Sequence, residues 1–592
     1  MKIRLPKFLA LAVLCGAVAH AEYIPSAGLL EPDDTISEGS ISPDSTTHPS
    51  YYALMKDGSG TVTITENVNL NQAIYVREGE LLVGKQNNQV RINLSPSDNP
   101  NDEWDNPSRP YLPNLVVAGK NTGDSYATIT FDNAVLTSNQ EATVIIGSAD
   151  GNGAMVIDNK SQIGLGNHQT TMIGERIGLS SGCPTADAEG NKYVGSYSEA
   201  ANGSETLFGR GVVTVKGAST YNTGYQQFYM SEGELNAIGE GTQVNIGGNY
   251  GTQSILGYDA DSTSDINVKD GAKINVRTKY LFTGSAASDN SSVNINVDGP
   301  GSSFTVDEKT PAHPEVPNSS QNTWAILGYY SGAAAGATVE NHTTSVNVTN
   351  GGTVSFLSGD YTFLGYGAQS EGSSVAVNVD EESFFNSKLT YMYDGATIDN
   401  KGTASIEYLY MLGGDVINEG TLTDWSGEDD VLYMTDGYVQ NSGTIDLNII
   451  LANGEIEALS GSVFDEVHLQ GGSFTLVGDV TFNSFFAGYQ AGEIVFNDGS
   501  TLDMQGNSFT LNGSSLVLLV DFEVTDETDI SLNSFLINVG STDLTHDTSI
   551  VIRGANGTEV VRTLSSMSIP EPTTATLSLL ALAGLAARRR RK

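Results

Sequence analysis

The chain has 592 residues, a formal net charge of −42 and 66 glycines, and only 17% of its residues are charged. So acidic a surface repels phosphate backbones and anionic lipid, which excludes nucleic-acid binding. A hydrophobic content of 39% with 25 Tyr and 19 Phe supports a long core rather than wholesale disorder, and the glycines lack the three-residue period of collagen.

Lys2, Arg4 and Lys7 precede the apolar stretch Phe8–Val18, and Ala19-His20-Ala21 then supplies the small residues a signal peptidase reads. This pattern predicts a secretory signal over residues 1–21, cleaved between Ala21 and Glu22. Cys15 would leave with it, so Cys183 is then the only cysteine and stability rests on packing rather than a disulfide. Residues 22–57 carry Pro25, Pro32, Pro43 and Pro49 and are expected to be loosely ordered.

From residue 58 to 453, short alternating runs such as Gly60-Thr61-Val62-Thr63-Ile64-Thr65 recur, broken by Gly, Asn and Asp. Alternation with β-branched residues predicts half-buried strands, and almost nothing has a helical period. One recurring unit pairs Leu-Gly-Tyr with a Val/Ile-x-Val strand. It runs from Ile255-Leu256-Gly257-Tyr258 to Ile266-Asn267-Val268, turns at Asp270-Gly271, and continues through Ile274-Asn275-Val276. Looser copies begin at Leu281, Ile326 and Phe363, with glycines 27, 44 and 37 residues apart. A second unit reads Tyr-Met, a glycine turn, an apolar residue, Asn, then Gly-Thr. It occurs at Tyr391-Met392 with Ile398 and Asn400, at Tyr410-Met411 with Ile417 and Asn418, and at Tyr433-Met434 with Val439 and Asn441. Phe228-Tyr229-Met230 is a distant copy. The three tyrosines are 19 and 23 residues apart, about one coil of a β-solenoid.

The expected fold is therefore all-β: a parallel β-helix (β-solenoid) of irregular coils with inserted loops at about 95–113, 174–206 and 307–322. Over roughly residues 205–450 the units resemble the passenger repeats of autotransporter-type right-handed β-helix proteins, in which strand, small-residue turn (Asp298-Gly299-Pro300-Gly301) and second strand alternate. The resemblance implies a right-handed coil. Residues 454–566 should continue the solenoid or cap it, with Gly472–Val477 and Ser515–Val520 as strands. They have no room for a C-terminal membrane barrel.

Candidate chemistry is sparse. Gly178-Leu179-Ser180-Ser181-Gly182 has the spacing of a nucleophile elbow, but Cys183-Pro184 follows where a helix is required. The six histidines left after export lie 29 or more residues apart, so no zinc site and no catalytic residue is assigned. Asp102, Glu103 and Asp105 flank Trp104 near Tyr111, and Asp424-Trp425 precedes Glu428-Asp429-Asp430. Trp104, Tyr111 and Trp425 are the candidate carbohydrate contacts, since aromatic faces stack on sugar rings. The carboxylates, with Asp259, Asp261 and Asp265, would at most hold calcium weakly, as they lack the spacing of a calcium loop; no other cofactor is implied.

The C-terminus, residues 567–592, reads Pro570-Glu571-Pro572, a mostly apolar stretch from Ala575 to Ala587, then Arg588-Arg589-Arg590-Arg591-Lys592. This order resembles the PEP-CTERM sorting signal of Gram-negative bacteria over roughly the last 25 residues. The resemblance implies processing by an exosortase-type membrane protease, and a membrane connection through the tail alone, its basic end inside. The apolar stretch is 13 residues long and contains Ser578, short for a stable span. Together the expectations describe an exported, acidic, adhesin-like protein of the cell surface or extracellular polymer, with a structural, adhesive or polysaccharide-binding role. The alternative is a polysaccharide lyase or glycoside hydrolase on the same scaffold.

Overall fold

The computed structural model describes most of residues 54–476, with breaks that include 95–114, 176–208 (strands 185–186 and 192–193 excepted), 307–323, 329–338 and 425–429. Beyond that span it describes only short strands between 21 and 36 and short segments between 480 and 563. Every element among the described residues is a strand, and 44 of the 52 belong to one hydrogen-bonded sheet.

Successive strands cycle through three parallel stacks, so the chain closes a triangular coil and begins the next, consistent with a β-solenoid. One coil shows the pattern. Thr263–Lys269 lies on the first face, Lys273–Arg277 on the second and Tyr280–Phe282 on the third. Each then pairs with its counterpart in the next coil, Ser292–Asp298, Ser303–Val306 and Trp324–Gly328. Past residue 384 the corners tighten until one strand, Thr403–Asn418, contributes to all three faces. The parallel stacks continue through Glu455–Ala458 and Ser473–Leu476. Ser515–Leu519 belongs instead to a separate four-stranded sheet.

Alternation sets what is inside. In Ser292–Asp298, Val293, Ile295 and Val297 are fully buried while Asn294 and Asn296 stand on the outer side. The inward column of the first face runs Leu235, Ile266, Ile295, Val346, Val377, Ile398, Val416 and Val439, each paired with the next and each at 0% exposure. Removing such a side chain to Ala leaves a cavity between two coils and costs about 2–5 kcal/mol. The register corrects one detail of the repeat: Val416, not Ile417, is the inward counterpart of Ile398 and Val439, and Ile417 pairs with Asp399 and Gln440 on the outside. The glycine-bearing turn between Tyr-Met and this column is one residue shorter here than the sequence pattern counts it.

The corners between first and second faces are held by left-handed residue pairs. At Asp270-Gly271, φ is 55° and 82°, and at Asn350-Gly351 it is 53° and 82°, a backbone that Gly, Asn and Asp adopt at least cost. A small hydroxyl residue just past the pair completes the corner: Ser302 Oγ donates to the Asp298 carbonyl at 2.7 Å and accepts from the Gly271 amide of the preceding coil at 2.9 Å. Backbone groups at the bend are thereby satisfied without water.

Candidate functional site

Outward positions of the first and second faces are filled with stacked amides. Asn267, Asn296, Asn347 and Asn378 each donate Nδ2 to the Oδ1 of the asparagine one coil earlier, at 2.8–3.0 Å, beginning at Asn236. The asparagines of the Tyr-Met unit form a second ladder inside the corner. Asn400 donates to Asn418 and Asn418 to Asn441, both at 2.7 Å, and all three are at most 1% exposed.

The carboxylates singled out in the sequence join these ladders. Asp261 accepts from Asn290 at 3.0 Å, Asp265 from Asn294 at 2.8 Å, and Asp259 from Ser231 at 2.9 Å. They therefore tie coils together instead of converging on a common point. Asp424 lies half-buried at the end of a strand and Asp430 is buried. Trp104, Tyr111, Trp425, Cys183, the residues Pro570 to Lys592 and Ala19 fall outside the described residues. Ala21 and Glu22 belong to the short strand Ala21–Tyr23, which pairs with Val62–Ile64. Among the described residues no group of three or more His, Cys, Asp or Glu is placed to hold a metal, and no helix is long and apolar enough to cross a membrane.

The outer side of the third face is different. There Tyr229, Ile255, Phe282, Ile326, Phe363, Tyr391, Tyr410 and Tyr433 occupy one register position in eight consecutive coils. The Leu-Gly-Tyr and Tyr-Met units are thus one column, and their 27-, 44-, 37-, 19- and 23-residue spacings are coil lengths. At about 4.8 Å per coil the column is about 34 Å long.

Two residues earlier, Tyr280, Trp324 and Tyr361 form a neighbouring column. The rings touch across and along the strip. Tyr280 stacks on Phe282 at 5.6 Å, and Trp324 meets Tyr280 and Tyr361 edge-on at 5.8 and 5.5 Å. Tyr361 reaches Tyr391 at 5.9 Å, Phe363 stacks on Tyr391 at 5.5 Å, and Tyr391 stacks on Tyr410 at 5.1 Å. Tyr366 and Tyr393 extend the strip toward the first-face corner, 5.4 Å apart. Beneath it Ile255, Phe282 and Ile326 are buried outside the main core, covered by Tyr229, Tyr280, Trp324 and Phe363.

The strip is half-exposed and amphipathic. Tyr258, which packs against Tyr229 at 5.2 Å, and Tyr366 are 38% and 39% exposed. Burial, and then the neighbouring Tyr410 and Tyr361 phenols, push Tyr391 above the ordinary phenol range; burial with Tyr366 and Tyr391 does the same for Tyr393. These hydroxyls therefore stay protonated near neutrality and present donors as well as acceptors. Lys279 Nζ sits 5.1 Å from the centre of the Tyr280 ring.

Trp324 escaped the sequence reading because its motif neighbours, Ile326-Leu327-Gly328, mark a repeat and not a site. The signal lay in the period: an aromatic four residues before the repeat's glycine in consecutive coils, Tyr280 before Gly284, Trp324 before Gly328 and Tyr361 before Gly365. Comparison with protein-family models, with curated proteins and with solved structures finds no match for this chain.

Proposed function

We propose that this protein is exported and displayed at the cell surface or in the extracellular polymer, where the aromatic strip of its third face binds a polysaccharide. The observation that carries this reading is the strip itself: aromatic rings, several of them with hydroxyls, and one half-buried indole line coils stacked about 4.8 Å apart, a spacing suited to a linear sugar polymer. Each contact is weak, and several engaged together on one rigid stack raise avidity by effective concentration, without one indispensable residue.

In this reading residues 1–21 direct export, the coils wind right-handed as in autotransporter-type passengers, and the Pro570-Glu571-Pro572 tail is handled by an exosortase-type protease. The enzyme alternative needs two carboxylates converging across a bond, about 5–10 Å apart, with at least one perturbed in acidity. Asp259, Asp261 and Asp265 instead accept hydrogen bonds from adjacent coils, which favours binding over catalysis. The test is retention of the purified full chain on immobilised neutral and uronate polysaccharides, with and without calcium, followed by analysis of the polymer. Retention lost in a Trp324→Ala, Phe363→Ala double variant, with polymer length unchanged, supports the proposal. Shortened oligosaccharides favour the enzyme, and retention that ignores the double variant overturns the assignment to this strip.

A further inference from the structure

Among the aromatic contacts of the strip, one has a geometry that permits covalent chemistry. Tyr391 and Tyr410 are direct register partners in adjacent coils, their ring centres 5.1 Å apart and their planes within 15°. Tyr366 and Tyr393 lie at a similar distance, 5.4 Å, but at 80°, and Tyr410 and Tyr433 are 5.9 Å apart and tilted by 56°. We propose that Tyr391 and Tyr410 form an oxidative cross-linking site, joined as dityrosine by a haem peroxidase with hydrogen peroxide.

The chemistry selects the stacked pair. Each phenol gives up one electron and one proton to the peroxidase, leaving two phenoxyl radicals with spin density on the carbons ortho to oxygen. The new carbon–carbon bond starts from π lobes that project perpendicular to each ring, so parallel rings aim them at one another and a perpendicular pair does not. Each coupled ortho carbon then loses its hydrogen as a proton that returns to its own phenoxyl oxygen. The balance is two tyrosines plus one hydrogen peroxide giving one dityrosine and two waters, with the peroxide reduced and the pair losing two hydrogens.

Two further features direct the reaction to this pair within one chain. Sheet register holds the rings in contact, so the second radical forms beside the first and coupling outruns diffusion. A net charge of −42 opposes encounter between chains. The bond would staple positions 19 residues apart in sequence and one coil apart in space.

The test treats the full chain at low concentration with horseradish peroxidase and limiting hydrogen peroxide, then reads dityrosine fluorescence, electrophoretic mobility and a peptide map. Cleavage after Lys401 separates the two tyrosines, so a cross-link joins their peptides with the loss of two hydrogens. The expected product is monomeric, carries the link at Tyr391 and Tyr410, loses it in Tyr391→Phe and in Tyr410→Phe, and keeps it in Tyr433→Phe. Circular dichroism of the variants confirms that the coils still form, since phenylalanine preserves the ring. Absence of this link, whether other tyrosines couple within the chain, couple between chains or do not react, overturns the proposal.

Discussion

Asn418 tests whether the buried amide ladder holds the tight coils together. It accepts from Asn400 at 2.7 Å and donates to Asn441 at 2.7 Å and to the Thr444 carbonyl at 3.0 Å, at 1% exposure. Asn418→Ala removes two amide–amide bonds worth about 1 kcal/mol each net, and leaves buried partners with less than their full complement. The residual penalty is moderate, because Asn400 still donates to the Thr421 carbonyl at 3.0 Å and Asn441 still accepts from the Gly443 amide at 3.2 Å. The sum is about 3 kcal/mol. Asn296→Ala breaks the same number of amide–amide bonds, to Asn267 and from Asn347, but on the outer surface, where water replaces them and the loss stays below about 1 kcal/mol. Urea unfolding gives the two values. Hydrogen exchange of residues 396–458 shows whether the loss is local, since stacked repeats need not unfold as one unit. Equal losses at the two positions, or a larger one at Asn296, would refute the argument that burial decides the strength of a ladder.

Other consequences are as direct. A Cβ on Gly153 would lie 1.8 Å from the Val117 carbonyl oxygen and 2.4 Å from the Gly147 amide, so Gly153→Ala should abolish folding of the neighbouring coils. At Gly239 nothing lies within 4 Å and only the φ of 93° opposes a side chain, so Gly239→Ala should lower stability by about 1–3 kcal/mol in the same denaturation assay. His342 is buried against Ser291 at 2.7 Å and Thr344 at 3.3 Å, and burial pushes its imidazole down to about 4. The unfolded chain binds this proton near pH 6.5 and the folded chain does not, so stability falls as pH drops from about 6.5 to about 4, by about 3 kcal/mol in all. The difference between wild type and His342→Gln, followed by urea unfolding across that range, should shrink by that amount; a difference independent of pH would rule out a neutral buried histidine. Single replacement of Trp324 by Ala should weaken polysaccharide retention about tenfold, as loss of one central aromatic contact does, whereas Phe384→Ala, outside the strip and 46% exposed, should leave it unchanged.

The parallel coil was legible because its physics is written in local periods. Alternating Val and Ile mark inward columns, Asp270-Gly271 marks a left-handed corner, and the spacing of Tyr391, Tyr410 and Tyr433 is the coil length itself. What was not legible is phase between coils. Ile417 and Val416 are equally apolar, and only the neighbouring strands decide which faces in. The strip was hidden for the same reason: Tyr280, Trp324 and Tyr361 are 44 and 37 residues apart, and they meet because the strand register pairs them in consecutive coils whatever the number of residues between. Asp261 and Asp265 drew attention as acids, yet their role depends on Asn290 and Asn294 one coil later.

The direction of the hydrogen bonds bears on how the protein takes a load. In a parallel stack each coil is bonded to the next along the axis, and in the tight region consecutive pairings such as Val416 to Val439 and Val439 to Ile456 are 23 and 17 residues apart. Tension between the two ends of the stack therefore pulls coils apart one at a time, as a zipper opens, and does not shear all strands together. Each release would pay out about 60–80 Å of chain, at about 3.5 Å per residue. A tether built this way yields in small steps and stretches far beyond its folded length before its last coil gives way.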